Sequence, residues 1–214
     1  MSASVTSKIG TAIAVAVGIA IAAGVGYELH KAAKKRNEQR ALVSVVGDTT
    51  TQLRGFLKTH EADALAKVEG NLRVAKTWSN PLLADAIEQY LVGARAIMRR
   101  RADADRLAQK AAASRAALTA HINRASRRDP RWFQTAQDLK RQVERDHFDL
   151  DVQLKALADL LDRLPEANTY LEPYVQASLI LDDAAREDAR RAVLQEAKVA
   201  SAELEKTRDL ILPR

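Results

Sequence analysis

Cysteine is absent from this chain, which excludes disulfides, thiolate catalysis and cysteine-ligated zinc or iron–sulfur centres. Glycine is nearly as restricted: all eight lie at or before Gly93, so the last 121 of the 214 residues contain none. No glycine-rich strand-to-helix turn is present to hold a phosphate loop, a dinucleotide fingerprint or a nucleophile elbow. Aromatic residues make up only 4% of the chain, too few to stack bases along a nucleic-acid groove. What remains is dominated by Ala, Leu, Arg, Glu, Asp and Gln, the vocabulary of helices. These absences predict an all-α protein that is not an enzyme and carries no cofactor or metal; no catalytic, cofactor-binding or metal-ligating residue is assigned.

Long uncharged runs are also rare, and the one that occurs, Ile9 to Tyr27, organises the rest. A helix needs about 20 apolar residues to cross a hydrocarbon core. The run is flanked by Lys8 on one side and by Glu28 and a basic cluster on the other. Lys31, Lys34, Lys35, Arg36 and Arg40 follow within about 15 residues, and the positive-inside bias holds such a cluster in the cytoplasm. The expectation is a single-pass anchor in a bacterial inner membrane, N-terminus out and C-terminal bulk cytoplasmic. At headgroup level the same five cations set topology and can meet acidic lipid, each contributing about 1 kcal/mol near an anionic surface.

Within the run, Gly10, Ala14, Gly18, Ala22 and Gly26 form an i, i+4 ridge of small residues, and Ala12, Ala16, Ala20 and Gly24 form another. Such ridges let helix backbones approach closely in lipid. Only seven residues of the run are strong inserters, worth roughly −2 to −4 kcal/mol together. Insertion is therefore marginal, and the expected partners are a second copy or another membrane protein. Two other readings stay open. Lys8, an apolar stretch and Ala20-Ile21-Ala22 resemble a cleavable secretory signal, which would make the protein an exported periplasmic binding or chaperone-like bundle. The period-2 alternation also allows a strand, although no partner strand is evident.

After a tail at 1–8 and the anchor at 9–27, residues 28–48 read as a basic juxtamembrane helix, and 49–214 as a helical bundle. Gly47-Asp48 and Thr49-Thr50-Thr51 predict a break and an N-cap. Apolar steps of three and four then predict helices at 50–78, 81–126, 130–164 and 171–212. Asn80-Pro81 and Asp129-Pro130 place a cap before a first-position proline, and Pro165 is expected to close the third helix. The 46 residues of the second helix would span roughly 69 Å, which makes the fold an elongated, antiparallel, coiled-coil-like four-helix bundle. If direction alternates, the last helix returns Leu210-Ile211-Leu212 to the membrane. Its face of Val175, Leu179, Ala185, Ala189, Ala192, Val193, Val199 and Leu204 buries little area, so it should be the weakest helix.

The formal net charge of +6 is unevenly distributed. Arg95 to Arg131 carries eleven basic and three acidic residues, whereas Glu144 to Asp188 carries four and twelve. Two such segments can neutralise each other, which argues against nucleic acid as a partner for Arg99-Arg100-Arg101, Arg127-Arg128 and Arg131. Glu144 and His147 have the Glu-x-x-His spacing of di-iron bundles, but no second copy exists. Asp146, Asp149 and Asp151 scatter around a helix and read as a solvated face, while His60 and His147 read as hydrogen-bonded core histidines. No small-molecule substrate is evident.

An N-terminal anchor followed by a helical bundle is similar to the architecture of LemA-type bacterial membrane proteins, and Asp151-Val152-Gln153-Leu154-Lys155 resembles a short run of that family. Here the run stands more than 120 residues past the apolar stretch, whereas the family has it soon after the membrane helix, so no role is carried over. The combined expectation is a membrane-anchored scaffold or protein-interaction module.

Overall fold

The computed structural model describes the backbone of residues 3–124 and 131–209, and the side chains of residues 30–61, 63–123 and 131–207. Among these the chain is all-helical and forms a bundle: α1 (Ala3–Thr59), α2 (Ala62–Ala75), α3 (Pro81–Arg124), α4 (Trp132–Thr169) and α5 (Asp183–Asp209), with a 3-10 turn at Ala177–Leu179. Among the described residues no helix is long and apolar enough to cross a membrane. The run Ile9–Tyr27 lies within α1, but its side chains, including Gly10, Ala14, Gly18, Ala22 and Gly26, fall outside the described residues.

The break expected at Gly47-Asp48 does not occur; α1 continues for 57 residues, roughly 86 Å. The threonines that suggested a cap serve neighbouring helices instead. Thr50 Oγ1 donates to the Leu179 carbonyl at 2.7 Å and lies 2.6 Å from the Tyr90 hydroxyl, while Thr49 Oγ1 accepts from Asn71 Nδ2 at 3.1 Å. Thr51 Oγ1 bonds back to the Gly47 carbonyl at 2.8 Å. With their hydroxyls engaged, these residues no longer compete with the helical backbone.

The actual reversal comes at His60, which adopts a φ of 57° in the left-handed region normally left to glycine. Its N–H closes the last turn onto the Phe56 carbonyl at 2.8 Å, and Nδ1 lies 3.2 Å from Asp105 Oδ2 on α3. The expected helix 50–78 is thus two antiparallel pieces, the end of α1 and all of α2. Asn80-Pro81 behaves as expected: α3 begins at Pro81, and Asn80 Oδ1 accepts the Leu82 N–H at 3.2 Å. Asp129-Pro130 lies outside the described residues.

The extra reversal inverts the direction of everything that follows. α1 and α3 run side by side in the same sense, with Glu38 beside Asn80, Thr50 beside Tyr90 and His60 beside Asp105. α4 runs back along α3, pairing Asp146 with Lys110 and Gln153 with Arg100. Pro165 sits inside α4, which continues to Thr169. The chain then crosses onto α1, burying Leu171, Val175, Ile180 and Leu181, so the last helix starts at Asp183 and not at 171. Asp182 caps it by accepting the Ala185 N–H at 2.7 Å. α5 then follows α3 upward, from Arg186 beside Asp162 to Glu196 beside Arg101 and Glu203 beside Arg115. It runs away from residues 30–40, contrary to the expected return; Leu210-Ile211-Leu212 lie outside the described residues.

Two layers result. In the near layer, α1, α2, α3 and the end of α4 bury Leu42, Leu53, Phe56, Ile87, Tyr90, Met98, Leu157 and Leu161, each at 2% exposure or less. In the far layer only α3, α4 and α5 remain, and alanines take a larger share: Ala104, Ala111, Ala136, Ala197 and Ala200 are buried beside Leu118, Val143, Leu150 and Leu154. Arg101 and Arg115, which interrupt the apolar seam of α3, are where α5 docks: Arg101 pairs with Glu196 at 2.8 Å, and Arg115 pairs with Glu203.

Candidate functional site

The basic segment of α1 is exposed at Lys31, Lys34, Lys35, Arg36 and Arg40, and one residue among them is not. Glu38 is 8% exposed. Its Oε1 accepts the Ser79 hydroxyl at 2.5 Å and the Ser79 N–H at 2.9 Å, and its Oε2 accepts the Asn80 N–H at 3.2 Å. The Ser79 hydroxyl bond, then the Ser79 N–H, hold this carboxyl below its ordinary range; partial burial opposes them, while Asn80 and the Lys34 ammonium reinforce them. Glu38 therefore satisfies the turn before α3 from another helix and pins that turn against α1.

The pinned turn encloses a cavity of about 620 Å³ between α1 and the start of α3, lined by His30, Lys31, Lys34, Lys35 and Pro81-Leu82 besides Glu38. Of the five cations named from the sequence, the structure gathers three here; Arg36 and Arg40 do not line the cavity. Lys31, Lys34 and Lys35 form no ion pair among the described residues. Leu82 remains 66% exposed beside them. A concave surface with three ammonium groups unpaired among the described residues, set against the one carboxylate of Glu38 and beside one aliphatic side chain, suits an anion carrying an apolar tail. The small-residue ridges expected to pack in lipid cannot be placed relative to it, since they lie outside the described side chains.

Among the described residues the basic half of α3 finds partners inside the molecule, on α2, on α5 and within α3 itself as well as on α4. Arg99 pairs with Glu69 of α2, Arg101 with Asp105 and Glu196, Arg106 with Asp103, and Arg115 with Glu203. Among the pairs described, Lys110, 2.8 Å from Asp146, reaches a carboxylate of the 144–188 segment. Asp146 is a correction to the solvated face expected of Asp146, Asp149 and Asp151: it is 1% exposed and accepts two hydrogen bonds from Gln142 at 2.8 and 2.9 Å. Burial pushes its carboxyl up, but bonds from Lys110, Gln142 and Ser114 outweigh it and leave the group below its ordinary range. His147 is buried, and its Nδ1 lies 3.2 Å from the Ala200 carbonyl. Burial lowers its pKa, with Arg115 assisting against the Ala200 bond and the Glu203 and Asp146 carboxylates. Among the described residues no three metal-ligating side chains converge.

Sequence reasoning missed the Glu38 pin, the Thr50–Tyr90 contact and the burial of Asp146. Ser79-Asn80-Pro81 signalled a helix start, which implies unsatisfied N–H groups, but local spacing does not reveal an acceptor some forty residues upstream. No known protein family, curated protein or solved structure matches the chain.

Proposed function

We propose that this protein is a single-pass membrane scaffold. The Ile9–Tyr27 run would anchor it in a bacterial inner membrane, with the bundle displayed in the cytoplasm for a protein partner. One observation carries the reading: the uncharged run belongs to the same helix that buries Leu42, Val46, Leu53 and Phe56 in the bundle core. A helix continuous from anchor to core transmits orientation, because no linker intervenes to randomise it. His30 stands three residues beyond Tyr27, about 4.5 Å along a helix. The cavity of Lys31, Lys34 and Lys35 would then lie at headgroup level, taking the phosphate of an acidic lipid with Leu82 toward its acyl region. Gly10, Ala14, Gly18, Ala22 and Gly26 supply the surface for a second copy or a partner's membrane helix.

Crosslinking in membranes, with the intact chain and with Gly18 and Gly26 both replaced by leucine, tests the association. Adducts lost only in the variant support recognition within the bilayer; monomer alone in both refutes it. Vesicle flotation tests the basic collar of Lys31, Lys34, Lys35, Arg36 and Arg40. Acidic vesicles should order the bundle against the surface, and Lys31, Lys34 and Lys35 replaced together by glutamine should remove the preference for acidic over neutral lipid while leaving membrane association intact.

A further inference from the structure

Glu38 fixes which collar cations face the start of α3. It accepts hydrogen bonds from Ser79 and Asn80, so the side of α1 that carries it looks onto that turn. Residues three, four and seven apart share one side of a helix, and Lys31, Lys34 and Lys35 stand seven, four and three residues before Glu38. All three side chains therefore leave α1 on the cavity side, each ammonium on a flexible four-carbon stem, and all three line the cavity of about 620 Å³. Arg36 and Arg40, two residues to either side of Glu38, leave α1 in other directions and do not line it.

The charge of that lining sets what it accepts. Its hydrogen bonds hold the Glu38 carboxyl below the ordinary range, so Glu38 is ionised at neutral pH. With histidine counted as neutral, the described lining carries three positive charges against one negative, a net of two. A phosphodiester headgroup brings one negative charge on two unesterified oxygens and leaves half of that excess unanswered. A phosphate esterified only once brings about 1.5 to 2 negative charges near pH 7 and three acceptor oxygens, one for each ammonium. A diester must also house its second substituent, and where that is ethanolamine or serine its ammonium meets the lysines as a like charge. A fatty-acid carboxylate brings a single charge on two oxygens.

We propose that this cavity selects lipids whose headgroup ends in a phosphate monoester, phosphatidic acid being the simplest, over phosphodiester lipids with the same chains. The selection rests on the membrane reading above, which puts the cavity at headgroup level, and names the lipid class within it. Leu82, 66% exposed at the same cavity, meets the glycerol backbone and first methylenes, so a soluble phosphate monoester lacks part of the contact. Because the same cavity holds the Glu38 pin, the bound lipid sits where α1 is tied to the start of α3.

The test places the full chain in phosphatidylcholine nanodiscs above pH 7. Spin-label EPR then measures the motionally restricted fraction of chain-labelled phosphatidic acid, phosphatidylglycerol and phosphatidylcholine. Phosphatidic acid should associate about fivefold more tightly than phosphatidylglycerol. Lys34→Gln with Lys35→Gln should remove that preference, whereas Arg36→Gln with Arg40→Gln, an equal loss of charge outside the cavity, should keep it. Glycerol 3-phosphate in excess should not displace the lipid. Equal association of the two acidic lipids, each above phosphatidylcholine, overturns the inference and leaves the acidic-lipid reading standing. No preference for either over phosphatidylcholine overturns both. A preference that falls equally in the two double variants traces to diffuse collar charge and overturns the site, and displacement by glycerol 3-phosphate overturns the lipid as its occupant.

Discussion

The near and far layers share α3 and α4 but are built on different physics. The near layer closes four helical segments over leucine, isoleucine, methionine and tyrosine, and its threonines satisfy buried polar groups across helices: Thr50 serves both Tyr90 and Leu179, and Thr49 accepts from Asn71. The far layer has three helices, an alanine-lined interface, and ionic or titratable groups at its centre: Arg101, Asp146 and His147, each at 8% exposure or less. Apolar burial is worth about 25 cal/mol per Å², so large side chains concentrate stability near the collar. The far layer instead holds its helices by matched charges, which contribute geometry more than free energy. The end that the proposed anchor fixes is thus the rigid end, and the end presented outward is the adaptable one.

The largest expected contrast is in truncation. Leu161→Ala, which removes a fully buried side chain between helices of the near layer, should cost about 2 to 5 kcal/mol and lower the melting temperature of the whole bundle. Replacing Val193 of α5 by alanine should cost about 1 kcal/mol and loosen α5 in hydrogen exchange while leaving α1 and α2 protected. Equal costs at the two sites would break the comparison.

Breaking the ion pair between exposed Lys110 and buried Asp146 comes next. Lys110→Met leaves Asp146 inside the far layer with only Gln142 and Ser114 as partners, and the expected loss is about 1 to 3 kcal/mol. It should be largest above pH 5 and should shrink when Asp146 is protonated. A double variant, Lys110→Met with Asp146→Leu, should recover most of the loss.

Acid should then separate the layers without any mutation. His147 has a folded pKa below its ordinary 6.5, so the unfolded chain binds its proton first, and stability is lost as pH falls from about 6.5 toward the folded value. The lowered carboxyls act later. Glu38, Asp146 and Glu203 contribute above their ordinary 4.5, 3.8 and 4.5, and lose that contribution only below those values. Between pH 7 and 5 the hydrogen-exchange protection factors, which remove the intrinsic slowing of exchange in acid, should fall in α5 and not in α2, and His147→Phe should flatten that dependence.

The smallest effect is a gain. A Cβ at Gly55 of α1 meets nothing within 4 Å, so Gly55→Ala should stabilise the near layer by about 0.5 to 1 kcal/mol through backbone entropy. Gly93→Ala, whose Cβ would meet Leu164 at 3.4 Å, should gain less. Guanidine titration resolves both.

Much of this organisation was legible in the sequence. The 3-4 spacing of Leu83, Ile87, Tyr90, Ala94 and Ile97, and of Leu150, Leu154, Leu157, Leu161 and Leu164, located two seams that are buried throughout. Arg101 and Arg115 marked where those seams needed partners. The reversal at His60 was not legible, because a histidine held at positive φ by Asp105 and Phe56 carries no local glycine signal. That one omission misdirected α5, since each reversal changes the sense of every later helix. In the collar, spacing identified the cations but not which of them face the start of α3, since Glu38 and Ser79 decide that from forty residues apart.

The central claim, an uncleaved anchor joined without a break to a cytoplasmic bundle, is tested most directly by limited proteolysis of membrane vesicles with intact-mass readout. In inside-out vesicles the account predicts cleavage at exposed collar residues such as Lys34 and Arg36. In right-side-out vesicles it predicts a protected chain that retains the mass of its N-terminal run. A mature chain beginning near residue 23, or a bundle digested only from the outer face, would contradict it.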